Sequence, residues 1–170
     1  MNPCYHEFFF SKANRLNQPV IDGYRFALES GEVKKSHLFE GRYENIYVER
    51  EAIPEMSELI NFWKDSAAVV LGMNTDDLQC GFWFNDMRPG DITLPHTHND
   101  DDELLSGVYY LQIPENSGEL ILYHDKQAIR IRPAPGKLVL FSATDEHEVS
   151  KNLSDESRLS IGINFGSRKA

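Results

Sequence analysis

The chain has only two cysteines, Cys4 and Cys80, far apart and in no Cys-x-x-Cys or zinc-ligand spacing. Neither a disulfide framework nor a cysteine-bound metal is expected to organise it. It also lacks a long apolar run, and nothing approaches the ~20 residues of a membrane-spanning helix. The apolar "EFFFSK" near the start has neither the basic segment nor the extended apolar stretch of a secretory signal. A cytoplasmic protein without a membrane partner is expected. Positive charge is scarce: 17 Lys and Arg face 27 Asp and Glu, for a formal net charge of −10. That balance works against general affinity for phosphate backbones, so no nucleic-acid partner is expected. Internal repeats, low-complexity tracts and linkers are missing too. The 170 residues make one ordinary domain, large enough for a real core.

What is present changes character along the chain. Residues 1–77 read mostly as helical support. "QPVIDGYRFALESG" places Pro19 near a helix start, Val20, Tyr24, Ala27 and Leu28 on one stripe, and Gly31 as a stop. "GRYENIYVER" looks like a short strand. "PEMSELINFWKDSAAVVLG" sets Met56, Leu59, Ile60, Trp63 and Ala67 at helical spacing and ends at Gly72. The aromatic residues of these helices read as core.

Residues 78–167 read as a β core. Eight short extended segments follow one another from "LQCGFWFNDM" to "RLSIGINFG", separated by turns such as "RPGD", "PENSG" and "PAPG". This pattern predicts a mainly β jelly roll or barrel covered by the N-terminal helices. In the last segment Arg158, Ser160, Gly162 and Asn164 share one face, while Leu159, Ile161, Ile163 and Phe165 share the other. The apolar face should meet the helices, and the polar face should look into a pocket.

The stretch "LPHTHNDDDELLSGVYYL" supplies His96 and His98 at the mouth of a strand, on the same side if the strand alternates regularly. A pair alone is weak evidence; a metal site needs a third ligand. His147, in "LVLFSATDEHEVSKN", is the candidate. Two ligands near one strand end and one distant ligand suit an open metal site. The other histidines read blandly: His124 as an exposed strand end, His6 and His37 as helical-region residues without companions. The acidic run Asp100 to Glu103 reads as a solvated loop. Asn85 and Trp83 are candidates for the pocket lining, although core is the commoner place for a tryptophan.

"HTHNDDDELLSGVYYLQIPENSGELILYH", "IRIRPAPGKLVLFSATDEHEV" and "RLSIGINF" together resemble the iron(II)- and 2-oxoglutarate-dependent oxygenases, in particular a prokaryotic and phage branch with HxH, SGVYYL, a P-x-x-G turn, a distal His and R-x-S. The resemblance covers about half the chain. It implies a double-stranded β-helix and a dioxygenase using Fe(II), 2-oxoglutarate and O2. Such an enzyme, here a hydroxylase, couples oxidative decarboxylation of 2-oxoglutarate to C–H oxidation of a substrate that the sequence does not name. It further implies a facial set of iron ligands in His96, His98 and His147. Two registers remain open, because the family's usual second ligand is an acid two residues after the first histidine. Asp100 paired with His98 could therefore replace His96. Arg158 and Ser160 fit the far carboxylate of 2-oxoglutarate, since a guanidinium meets a carboxylate bidentately. Tyr110 stands where related enzymes place a hydroxyl on the same group.

A cupin-type metal enzyme or sensor that does not use 2-oxoglutarate is the alternative. Gly90-x5-His96-x-His98-x4-Glu103 matches the first cupin motif, with Glu103 as a fourth ligand. Tyr110, Ser142 and Thr144 depart from the cupin pattern, and a cupin has no use for Arg158 and Ser160. A metal-free jelly roll would leave His98, His147, Arg158 and Ser160 without a shared explanation. Oligomeric state is not legible.

Overall fold

The computed structural model describes residues 4–98 and 102–168. Two helices, α1 (Ala13–Ser30) and α2 (Met56–Leu71), accompany eleven strands. These are β1 (Tyr5–Phe9), β2 (Lys34–Phe39), β3 (Arg42–Tyr47), β4 (Leu78–Met87), β5 (Thr93–His96), β6 (Glu103–Gln112), β7 (Leu120–His124), β8 (Gln127–Ile131), β9 (Lys137–Ser142), β10 (Glu146–Val149) and β11 (Arg158–Ser167). The strands form a major sheet in the order β1-β9-β6-β11-β4-β3-β2 and a minor sheet in the order β5-β10-β7-β8. Two antiparallel sheets folded over one another in this way make a double-stranded β-helix. No helix among the described residues is long and apolar enough to cross a membrane.

The helices end where an αL residue is required, at Gly31 (φ 76°) and Gly72 (φ 65°). Pro19 lies inside α1 rather than at its start. The helix begins at Ala13, because the stripe of buried residues already includes Leu16 and Asn17. Both helices cover one face of the major sheet. Val20, Tyr24, Leu59, Trp63 and Ala67 pack there with Phe84, Tyr109, Leu159, Ile161, Ile163 and Phe165. Tyr24 stacks on Phe84 with ring centroids 4.6 Å apart. Asn17 ties the layers together, accepting from the Tyr109 hydroxyl at 2.7 Å. A second cluster, including Tyr110, Leu120, Leu122, Ile131, Val139 and Phe141, fills part of the space between the sheets.

The first 77 residues contribute more than helices. β1 pairs along its whole length with β9, and the β2–β3 hairpin extends the far edge of the major sheet beside β4. His6 and His37 therefore lie on strands, a correction to their helical-region reading. The eight downstream strands fall where alternation and turn residues put them. β11 is the hub, bonded to β4 on one side and β6 on the other.

Candidate active site

Between the sheets lies a cavity of about 380 Å³ lined by side chains from both. The inward face of β11 supplies Arg158, Ser160, Gly162 and Asn164, as alternation predicted, and the inward face of β6 supplies Ser106, Val108 and Tyr110. Across the gap, β5 and β10 bring His96 and His147 opposite one another in register. Their ring centroids are 4.3 Å apart. β5 ends at His96, so His98 lies just beyond the strand, where its backbone N–H donates to the Ala143 carbonyl at 3.0 Å. That bond turns His98 back into the cavity, with its ring 4.9 Å from His96 and 5.0 Å from His147. One ring nitrogen from each of the three lies within 4.8 Å of the others. Asp100, the alternate to His96, lies outside the described residues.

The imidazoles are set up to donate lone pairs. His96 Nδ1 lies 2.8 Å from the Leu94 carbonyl, and His147 Nδ1 lies 3.1 Å from the Asp145 carbonyl. A carbonyl can only accept, so Nδ1 carries the proton and Nε2 is left as a ligand atom. Burial, aided by His96 and His98 nearby, pushes the His147 pKa down to about 3. It is therefore neutral at physiological pH, as a metal ligand must be. Phe141 packs edge-on to His147 at 4.7 Å and keeps that side dry.

Deeper in the cavity sits Arg158, 1% exposed. Its Nη1 reaches only the Met87 sulfur, at 3.5 Å, and its Nε has no partner. Among the described residues no carboxylate lies within ion-pair distance of it. The guanidinium stands 5.3 Å from the Tyr110 ring, and the Tyr110 hydroxyl is also buried without a hydrogen-bond partner. Burial raises the Tyr110 pKa to about 12 despite the cation beside it. A buried, unpaired cation costs several kcal/mol. Together with Ser160 it presents N–H and O–H donors to the cavity, the groups that a small carboxylate accepts from. The residues present thus fit both a divalent metal, on three converging imidazoles, and a dicarboxylate, on an orphaned guanidinium and hydroxyl.

Several lining residues were misread or missed in the sequence. Trp83 is cavity wall rather than core, with its ring 5.4 Å from His98. It can lie there because its cross-strand partner is Gly162, where any Cβ would collide with the indole. His37, Glu44, Asn45 and Tyr47 reach the cavity mouth from the β2–β3 hairpin. His124 stays outside, half-exposed against Asp145. Glu103, the fourth ligand of a cupin, instead accepts from Asn164 Nδ2 at 2.7 Å and is not part of the histidine cluster.

Residues 82–166, half of the chain, match the model of the 2OG-Fe(II) oxygenase superfamily. The chain belongs to this superfamily. It is accordingly a dioxygenase that uses Fe(II), 2-oxoglutarate and O2. No curated protein matches the chain. Among solved structures, a Pseudomonas putida prolyl-4-hydroxylase superposes with a TM-score of 0.70 at 18% identity, covering 99% of this chain and 90% of that one. SnoK, an alpha-ketoglutarate-dependent carbocyclase from nogalamycin biosynthesis, gives 0.76 at 15% identity over 96% and 79% of the two chains. A Trichoplax adhaerens prolyl hydroxylase, in complex with a hypoxia inducible factor peptide, gives 0.69 at 17% over 97% and 84%. At such identities the oxygenase neighbours share the fold.

Proposed function

We propose that the protein is a hydroxylase in which His96, His98 and His147 hold Fe(II), while Arg158, Ser160 and Tyr110 hold the far carboxylate of 2-oxoglutarate. The observation that carries this reading is the buried, unpaired Arg158 guanidinium in the same cavity as three converging imidazoles. When bound, the iron and cosubstrate supply the oxidising power for attack on a C–H bond.

The side chains orient and exclude. Backbone carbonyls fix the tautomers of His96 and His147, and burial keeps His147 unprotonated, so no proton competes for its ligand lone pair. Arg158 offers parallel N–H groups to a carboxylate, and Tyr110 adds a hydroxyl from the neighbouring strand, aligning a bound dicarboxylate along β11. Trp83 and Phe141 wall the histidines with apolar surface. No side chain is required as a general base. A prolyl substrate, as in two of the neighbours, is one option among C–H donors that the cavity admits.

The test is anaerobic addition of Fe(II) and 2-oxoglutarate, read by the visible metal-to-ligand charge-transfer band, and then succinate release in air. Failure of both the band and succinate formation overturns the assignment.

A further inference from the structure

The larger neighbouring groove, about 890 Å³, begins where the first cavity ends, and Tyr47, Trp83 and Asn164 line both. Its floor continues the inward faces of β4 and β11. Beyond Trp83 those faces carry Gly81 and Gly166, and a Cβ built at Gly81 would meet nothing within 4 Å. The low floor opens a path from the histidines along β11 to the end of the strand. Three cations, Arg50, Lys64 and Arg168, line the groove, Arg50 and Lys64 at the edge of β4 where Cys80 packs toward the helices. Among the described residues none of them has an ion-pair partner. Arg50 reaches only the Cys80 carbonyl, at 3.5 Å, and the Arg168 backbone N–H is anchored on the Asp77 carbonyl at 2.7 Å. Arg50 and Lys64 both stand close enough to Cys80 to oppose the rise that burial imposes on its thiol pKa. The groove's two acids, Asp102 and Glu103, come from the approach to β6, and Glu103 is engaged by Asn164. Among the described residues lining the groove three cations outnumber two acids, a selective feature in a chain of net charge −10, because long-range repulsion must be overcome only at that spot.

Resting on the oxygenase reading, we propose that the substrate is elongated and carries an anionic group, phosphate or carboxylate, held by Arg50, Lys64 and Arg168 while its reactive carbon lies beside the histidines. Gly162, under Trp83, and Arg168 are six positions apart on one extended chain, so the span is roughly 20 Å. A free amino acid is too short to bridge it. The two ends of β11 then have parallel tasks: Arg158 for the cosubstrate anion and Arg168 for the substrate anion.

The probes are inorganic pyrophosphate and, separately, tricarballylate. Each is titrated into the metal-free protein saturated with 2-oxoglutarate and followed by ¹H–¹⁵N spectra. The Arg50 and Arg168 Nε–H signals and the Gln79 side-chain amide should shift. The double variant Lys64→Glu/Arg168→Glu should weaken the fitted affinity at least about tenfold, equivalent to about 1.4 kcal/mol. The matched control Arg132→Glu/Lys151→Glu, in a separate pocket that shares no lining residue with the groove, should leave it unchanged. Preference for one probe identifies the phosphate or the carboxylate class. Shifts confined to Arg158, equal affinity in the Lys64/Arg168 variant, or no shift with either probe would overturn the proposal. Because the readout needs neither iron nor turnover, this outcome is separable from failure of the oxygenase assay.

Discussion

Arg42 and Arg158 are both almost fully buried, at 5% and 1% exposure, Arg158 lining the cavity and Arg42 bonded to its lining residue Asn85. Arg42 is saturated. It reaches Asn85 Oδ1 at 2.9 Å, Glu44 at 3.1 Å, the Ile92 carbonyl at 2.8 Å and Asp91 at 3.4 Å. The knot joins β3, β4 and the approach to β5. Arg158 has a thioether and an aromatic ring. The difference is one of compensation. A buried ion that is paired and hydrogen-bonded braces the fold, whereas one left open bears several kcal/mol of desolvation, which is the ground for the carboxylate role proposed for Arg158.

The largest effect should come from the open region. His147→Ala should reduce 2-oxoglutarate-dependent succinate release to background while the circular dichroism spectrum is retained; succinate production by that variant would remove His147 from the ligand set. Next, Arg42→Ala strips a cation from Glu44 and Asp91 and should cost about 3–5 kcal/mol in denaturant unfolding. A loss below about 1 kcal/mol would mean that the knot is ornamental and the contrast with Arg158 empty. Arg158→Ala should raise the 2-oxoglutarate KM about 100-fold, or about 2.7 kcal/mol, with iron binding kept and no loss of stability, since an uncompensated charge is removed. An unchanged KM would break the comparison outright.

The smallest effect concerns Asp86, on the opposite face of β4. Its Oδ2 accepts from the Tyr24 hydroxyl at 3.1 Å, but its Oδ1 has no partner, and burial raises its pKa above 3.8. The folded state therefore keeps this proton to higher pH than the unfolded chain does. Stability should fall as pH rises through the window between 3.8 and the raised folded value, by at most about 1.4 kcal/mol per pH unit. Asp86→Asn should flatten that slope in pH-dependent thermal melts.

Much of the architecture was legible because β structure writes itself at period two. β11 announced both faces; the same period in β6 turns Tyr109 toward the helices and Tyr110 toward the cavity, a placement the structure supplies. His96, His98, His147 and Arg158 were singled out chiefly by the family resemblance, since the histidine pair alone is weak evidence; the structure brings all four to one cavity. The cavity mouth was not. His37, Glu44, Asn45 and Tyr47 come from a hairpin that reaches β4 only after the chain has passed through α2, and sequence distance hides that adjacency. Trp83 misled because a tryptophan's usual place is a core; only its glycine partner across the ladder reveals the free space it occupies. Pro19 misled because a helix tolerates it when tertiary packing holds the turns on both sides.

The two-faced pattern of β11 also sets how this enzyme can change. Exchanging one side chain for another alters a single contact, on one face only. Inserting or deleting one residue near its start would rotate the rest of the strand half a turn, sending Ile161 and Ile163 into the cavity and Gly162 and Asn164 against the helices. New specificities are thus open to this lineage by replacement within the strand, whereas changes of length are confined to the loops at its ends.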